Sequence, residues 1–326
     1  MGFSADVCKF RAIHSCQNST YIRGIFPFMR LRLILLASIC FCCACKKHTS
    51  SPAPTQTEPV SVTTLQDPRL IETSGLAASV ANPGLLYVHN DSGDTSRFFA
   101  IHPDGSLKSV IYYNGDKSLK LLGVTDCEDI AVNIGPQPGT YVYMGDIGDN
   151  DAVRKDIIIF RIKEPALSDT LVNAQAEPLV LTYPDGPRDA ETLMVDPIDK
   201  LIYIVSKRED SVRVYSTPLL FNANDTAVLQ LRAKLYFAGF GETKYITAGD
   251  ISQDGLQILL KSYTQVYYWK RQSGEAIWQS MLRSPETLPY TIEKQGEAIG
   301  FTTDATGYYT TGEGLHANLY YYKLPK

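Results

Sequence analysis

Asp126-Cys127-Glu128-Asp129-Ile130-Ala131 has four echoes along the chain: Glu72-Thr73-Ser74-Gly75-Leu76-Ala77, Asp189-Ala190-Glu191-Thr192-Leu193-Met194, Thr247-Ala248-Gly249-Asp250-Ile251-Ser252 and Gln295-Gly296-Glu297-Ala298-Ile299-Gly300. Each runs from acidic or small residues into Leu or Ile, then into a small or apolar residue. The aligned aliphatics Leu76, Ile130, Leu193, Ile251 and Ile299 lie 54, 63, 58 and 48 residues apart. A constant signature at unequal spacing indicates one supersecondary unit repeated with loops of different length.

Two further apolar runs follow each signature. The first set is 84–89, 140–144, 201–205, 256–260 and 307–311; the second is 97–101, 157–162, 212–215, 266–269 and 319–322. They are short and rich in Tyr, Ile and Val, and turn clusters such as Asn82-Pro83-Gly84 and Gln253-Asp254-Gly255 separate them, which is the pattern of strands. Fourth strands are expected at 107–113, 178–183, 228–237 and 276–282. The fifth unit has only three strands before Lys326, while Glu58–Gln66 supplies an orphan strand at the other end. A missing strand at one terminus and a spare one at the other predict a ring sealed by pairing the two. The expected fold is therefore all-β: a single β-propeller over 58–326, with five four-stranded blades. A sixth blade would need another inner-strand signature within the long 193–251 interval.

Composition agrees with this reading and narrows function. The 326 residues are 44% hydrophobic and 20% charged, with a net charge of −4, 20 Tyr and 12 Phe. This excludes a collagen, a disordered tail and a polytopic membrane protein, and without a basic excess no nucleic-acid partner is expected. Six of the seven cysteines lie in the first 45 residues. There Met29 opens a segment with Arg30 and Arg32 before an apolar run, Leu33 to Ala44, which is too short for a bilayer but suits a signal peptide. The run ends at Cys45, before Lys46, Lys47 and a Ser/Thr/Pro tract. This resembles a bacterial lipoprotein signal. It implies residues 29–44 as signal peptide, lipidation at Cys45 (Cys43 and Cys40 being alternatives), and 45–57 as a flexible linker. Residues 1–28 show no pattern and are read as a non-native extension. The expected location is then the cell envelope, with the chain lipid-anchored to a bacterial membrane and monomeric.

Inner strands of a propeller line its channel, so the aligned Ser74, Glu128, Glu191, Gly249 and Glu297 are expected at one mouth. Asp126 and Asp189 stand two residues before their glutamates, on the same strand face. Crowded carboxylates repel, and an oxygen-seeking cation relieves that repulsion. The candidate ligands are Glu128, Asp129, Glu191, Asp250 and Glu297, and the expected ion is calcium, which takes about six to eight oxygens. A second acidic cluster, Asp91, Asp146, Asp149 and Asn150, follows the second strands of the first two units. Tight Asx turns explain those residues as readily as an ion does.

Ser74-Gly75-Leu76-Ala77, His89-Asn90-Asp91, Asp126–Ala131 and Gly145-Asp146-Ile147-Gly148-Asp149-Asn150 together resemble the SdiA-regulated propeller family, distant kin of NHL repeats. The resemblance covers about residues 70–326. It implies a five-bladed propeller with a bound calcium ion, although Asp129 stands where that family usually has Gly. A weaker likeness, through Asp189–Leu193 and Gln295–Ile299, is to the esterase-like phytase propellers. No nucleophile elbow, His-Glu-x-x-His or phosphate loop is present. The expected role is therefore a binding module with an unknown small ligand or protein at the mouth. The alternative is a calcium-dependent hydrolase of a phosphoester or lactone, with Glu128, Glu191 or His89 as base.

Overall fold

The structure is a computed structural model and describes residues 58–116 and 123–325. The proposed extension, signal peptide, Cys45 and the whole linker lie outside the described residues. Five antiparallel blades follow one another. Strand β1 (Ser61–Thr64) precedes the first blade, which is β2 (Thr73–Ala78), β3 (Leu86–Asn90), β4 (Arg97–Ile101) and β5 (Leu107–Tyr113). The second is β6 (Cys127–Ile134), β7 (Thr140–Asp146), β8 (Ile157–Lys163) and, after β9 (Leu171–Ala174), β10 (Ala176–Thr182). The third is β11 (Ala190–Asp196), β12 (Leu201–Ser206), β13 (Val212–Pro218) and, after β14 (Asp225–Val228), β15 (Gln230–Leu235). The fourth is β16 (Ile246–Ile251), β17 (Gln257–Ser262), β18 (Val266–Lys270) and β19 (Glu286–Leu288); the last is β20 (Ala298–Phe301), β21 (Gly307–Thr311) and β22 (Asn318–Lys323).

The first strands β2, β6, β11, β16 and β20 neighbour one another in turn around the axis, and β20 meets β2 again. Strand β1 pairs antiparallel with β22, Val62 opposite Tyr320, and completes the fifth blade as the terminal residues predicted. Each first strand is the inner edge of its own sheet, short and covered by its neighbours around the axis. Two additions were not foreseen. Strand β9 pairs in parallel with β5, and β14 with β10, so the first two blades each gain a fifth, outer strand.

The core is divided among the five gaps between neighbouring blades. One apolar cluster joins Phe98 and Ile111 of the first blade to Val142 and Phe160 of the second; equivalent clusters fill the other gaps. Cys127 is buried in the first of these, and burial pushes its thiol upward, as befits an inert core residue. The small residue that closes three of the five repeat signatures has a packing reason. Ala77 pairs with Tyr87, Ala131 with Tyr143 and Gly300 with Tyr309, so a small inner residue faces a large ring on the second strand.

One expected strand is a helix. Residues 276–282 form α1 (Ile277–Met281), and β19 supplies the fourth strand instead. The buried residues Ile277, Ser280 and Met281 follow the i, i+3, i+4 spacing of one helix face, whereas strand alternation would bury every second residue. Gln279 and Glu275 complete the element: Ala276 N–H donates to Gln279 Oε1 (2.8 Å) and Ser280 Oγ donates to Glu275 Oε2 (2.7 Å).

Candidate cation site at the propeller mouth

Bulges place the first carboxylates. In β2, β6, β11 and β16 the register slips by one residue near the strand start, at Ser74, Glu128, Glu191 and Thr247. A bulge re-aims the extra residue, and such kinks recur beside functional sites. Glu297 stands immediately before β20, at the equivalent place. The fourth position is therefore Thr247, two residues before the expected Gly249; Gly249 lies within the ladder opposite Leu260. Among these five positions, the two hydroxyl residues bind the next blade. Ser74 Oγ donates to Glu128 O (2.8 Å) and Thr247 Oγ1 to Gly296 O (3.1 Å).

Further lining residues come from the ends of the second strands. Asp91 follows β3, Lys207 and Arg208 follow β12, Tyr263 follows β17 and Glu313 comes two residues after β21. All line one cavity of about 630 Å³ with Glu128, Glu191 and Glu297. Seven carboxylates line it against two basic side chains. Three overlapping triads have carboxylate oxygens within 4.8 Å of one another: Asp91/Asp126/Glu128, Glu128/Asp189/Glu191 and Asp91/Glu297/Glu313. Glu128, Glu191 and Glu297 thus come together as expected, joined by Asp91. Asp126 and Asp189, noted in the sequence for their strand face, join them too. Glu293, Glu313 and Tyr263 were missed, though their positions just before a first strand or just after a second one were legible.

Asp129 and Asp250 do other work. Asp129 accepts Ile130 N–H and, from the third blade, Leu193 N–H, both at 2.8 Å. Asp250 accepts Ile251 N–H and, from the fifth blade, Phe301 N–H, also at 2.8 Å. Both carboxylates stitch blades together, and neither belongs to a triad. Asp146 and Asp149 take the turn-capping role. Asp146 accepts the N–H groups of Thr125 (2.9 Å) and Asp126 (3.0 Å) and pairs with Arg154; Asp149 accepts those of Val153 and Arg154. Asn150 reaches the cavity and bonds Arg208. The Gly-Asp-Ile-Gly-Asp-Asn stretch thus builds a loop that presses Gly148 onto the first triad. A Cβ there would overlap Glu128 Oε1 and stand 2.5 Å from Asp126 Oδ2. His89 is buried away from the cavity, over Gly75, with Nδ1 on Asn90 O (2.8 Å); burial pushes it down to about 4, so the ring is neutral.

Basic groups offset only part of the negative charge. Lys207 pairs with Glu191 and lies 3.7 Å from Glu297, and Arg208 pairs with Asp189. Burial opposes the Lys207 charge, but Glu191 and Glu297 outweigh it and hold the ammonium above its ordinary range. Lys261 is fully buried, bonds Gly296 O and stands 3.7 Å from Glu293; burial pushes it down to about 8. Burial, reinforced by neighbouring carboxylates, pushes Glu128 far upward, Asp91 up to about 8 and Glu313 up to about 7. Within the triads two carboxylate oxygens are buried without a hydrogen-bond partner, Asp126 Oδ1 and Glu191 Oε2. Oxygen-only donors with stranded lone pairs fit a hard divalent cation, and among the described residues no histidine or cysteine joins a triad.

A pH dependence follows. Carboxyls whose values rise on folding hold protons that the unfolded chain has already released between about pH 4 and pH 8. Stability from Asp91 and Glu313 is thus full at the acidic end and declines as pH rises through that window. Urea denaturation in chelator should show lower stability at pH 8 than at pH 5.5, and added calcium should reverse the order.

Compared with protein-family models and with curated proteins, the chain has no match in either.

Proposed function

We propose that this protein is a calcium-binding β-propeller of the SdiA-regulated kind. On this reading it is anchored to a bacterial envelope membrane by lipid on Cys45 and receives a small ligand or a partner at its acidic mouth. The observation that carries the reading is the Asp91/Asp126/Glu128 triad, which holds a buried oxygen without a partner. Its carboxylates are also freer than the others: among the described residues no ion pair is formed by Asp91, Asp126 or Glu128, while Glu191 and Asp189 each have a basic partner. A dication there would replace repulsion by attraction and hold these carboxyls in their charged form. Asp126→Asn should weaken calcium binding at least tenfold by calorimetry; unchanged affinity would overturn the assignment. For the anchor, Cys45→Ala should move the protein from the membrane fraction to the soluble one.

The hydrolase reading has one observation in its favour. The cavity opens over Glu128 and Glu191 with Lys207 and Arg208 beside them, an arrangement suited to an anionic ester. Calcium would supply Lewis acidity there, and a glutamate would accept the proton of the attacking water. His89 has no part in it, being buried and committed to Asn90. Undiminished turnover of a phosphoester or lactone in the Glu128→Gln/Glu191→Gln double variant would rule this out.

A further inference from the structure

We infer that the mouth takes two divalent cations, with Glu128 as the carboxylate they share. The inference deepens the calcium-binding reading and rests on it. Two of the three triads, Asp91/Asp126/Glu128 and Glu128/Asp189/Glu191, have Glu128 in common. Each also contains one buried carboxylate oxygen with no hydrogen-bond partner, Asp126 Oδ1 in the first and Glu191 Oε2 in the second. Asp126 is 9% exposed and Glu191 2%, and both belong to a crowded set of like charges. A buried carboxylate oxygen left without a hydrogen bond is costly to the fold. An ion in the first triad satisfies Asp126 Oδ1 and leaves Glu191 Oε2 without a partner; an ion in the second does the reverse. The Asp91/Glu297/Glu313 triad contains no such stranded oxygen, and Glu297 Oε1 already accepts the Tyr263 hydroxyl.

The bases paired with the second triad do not block it. Lys207 rests on Glu191 and also lies 3.7 Å from Glu297, so it retains a carboxylate when an ion engages Glu191. Arg208 rests on Asp189, bonds Asn150 and lies 5.6 Å from the Tyr245 ring centre, which leaves it two contacts besides Asp189. Charge points the same way. The lining carries seven carboxylates against two bases, and the triads add Asp126 and Asp189, more carboxylates than one dication can engage. Glu128 is suited to bridging because its two oxygens face different neighbours: Oε2 lies 3.3 Å from Ser74 Oγ, while Oε1 faces Gly148. The donors are all oxygens, so the second ion belongs to the same hard class as the first.

Calorimetric titration of calcium into the chelator-treated full chain at pH 8 tests this. The expected stoichiometry is two ions per chain, falling to one in Glu191→Gln and to one in Asp126→Asn. One ion per unaltered chain would overturn the shared centre and leave the calcium-binding reading standing. No binding at all would overturn both. Two ions persisting in both variants would overturn the assignment of Glu191 and Asp126 as ligands.

Discussion

Calcium at one hundred times its dissociation constant is expected to raise the unfolding free energy by about 2.7 kcal/mol over the same protein in chelator. Thermal denaturation in EDTA and in calcium reads this as a higher midpoint with the metal. Glu128→Gln should lose most of the gain. Glu128 belongs to two carboxylate triads, and its side chain is held between Ser74 and Gly148, so a neutral amide there removes charge from the centre of the cluster. The sign of the variant's effect in chelator is also fixed. Burial and the neighbouring Glu191 both disfavour the Glu128 anion. Removing that charge should leave the ion-free protein at least as stable as the unaltered one. Loss of calcium response without loss of ion-free stability separates a ligand from a structural residue.

Asp129→Ala should have the opposite profile: a large destabilisation that calcium does not rescue. Asp129 is fully buried and accepts two main-chain N–H groups, Ile130 in its own blade and Leu193 in the next. Alanine strands both donors in the interior at about 1–3 kcal/mol each, so a loss of about 2–5 kcal/mol is expected. Asn keeps one acceptor oxygen and should fall between the two. Equilibrium urea denaturation of the Asp, Asn and Ala proteins gives the series. A loss below about 1 kcal/mol for Ala would mean that this contact does not join the second and third blades.

These residues also show what the chain makes plain and what it conceals. Glu128 and Asp129 are adjacent and chemically alike, and read from sequence both are candidate ligands. The bulge at Glu128 separates them, sending one carboxylate to the mouth and the other into the seam between blades. No residue pattern announces a bulge, and the same ambiguity misaligned the fourth repeat. Asp250-Ile251 imitates Asp129-Ile130, while the ladder register makes Thr247 the counterpart of Glu128. The ring itself was legible because the run from acidic or small residues into Leu or Ile recurs five times, and repetition survives loops of any length. Residues 276–282 were not, because so short a segment fits a helix as well as a strand, and only the neighbouring core at Ile277 and Met281 decides. Strands β9 and β14 lie within loops whose composition gives no sign that a neighbouring blade has an edge to cover.

Metal analysis of the protein purified without chelator tests the account most directly. The expected result is at least one equivalent of a divalent metal per chain, calcium foremost, removed by EDTA together with a fall in the melting temperature. A protein free of divalent metal, with the same melting temperature in EDTA and in excess calcium, would contradict it.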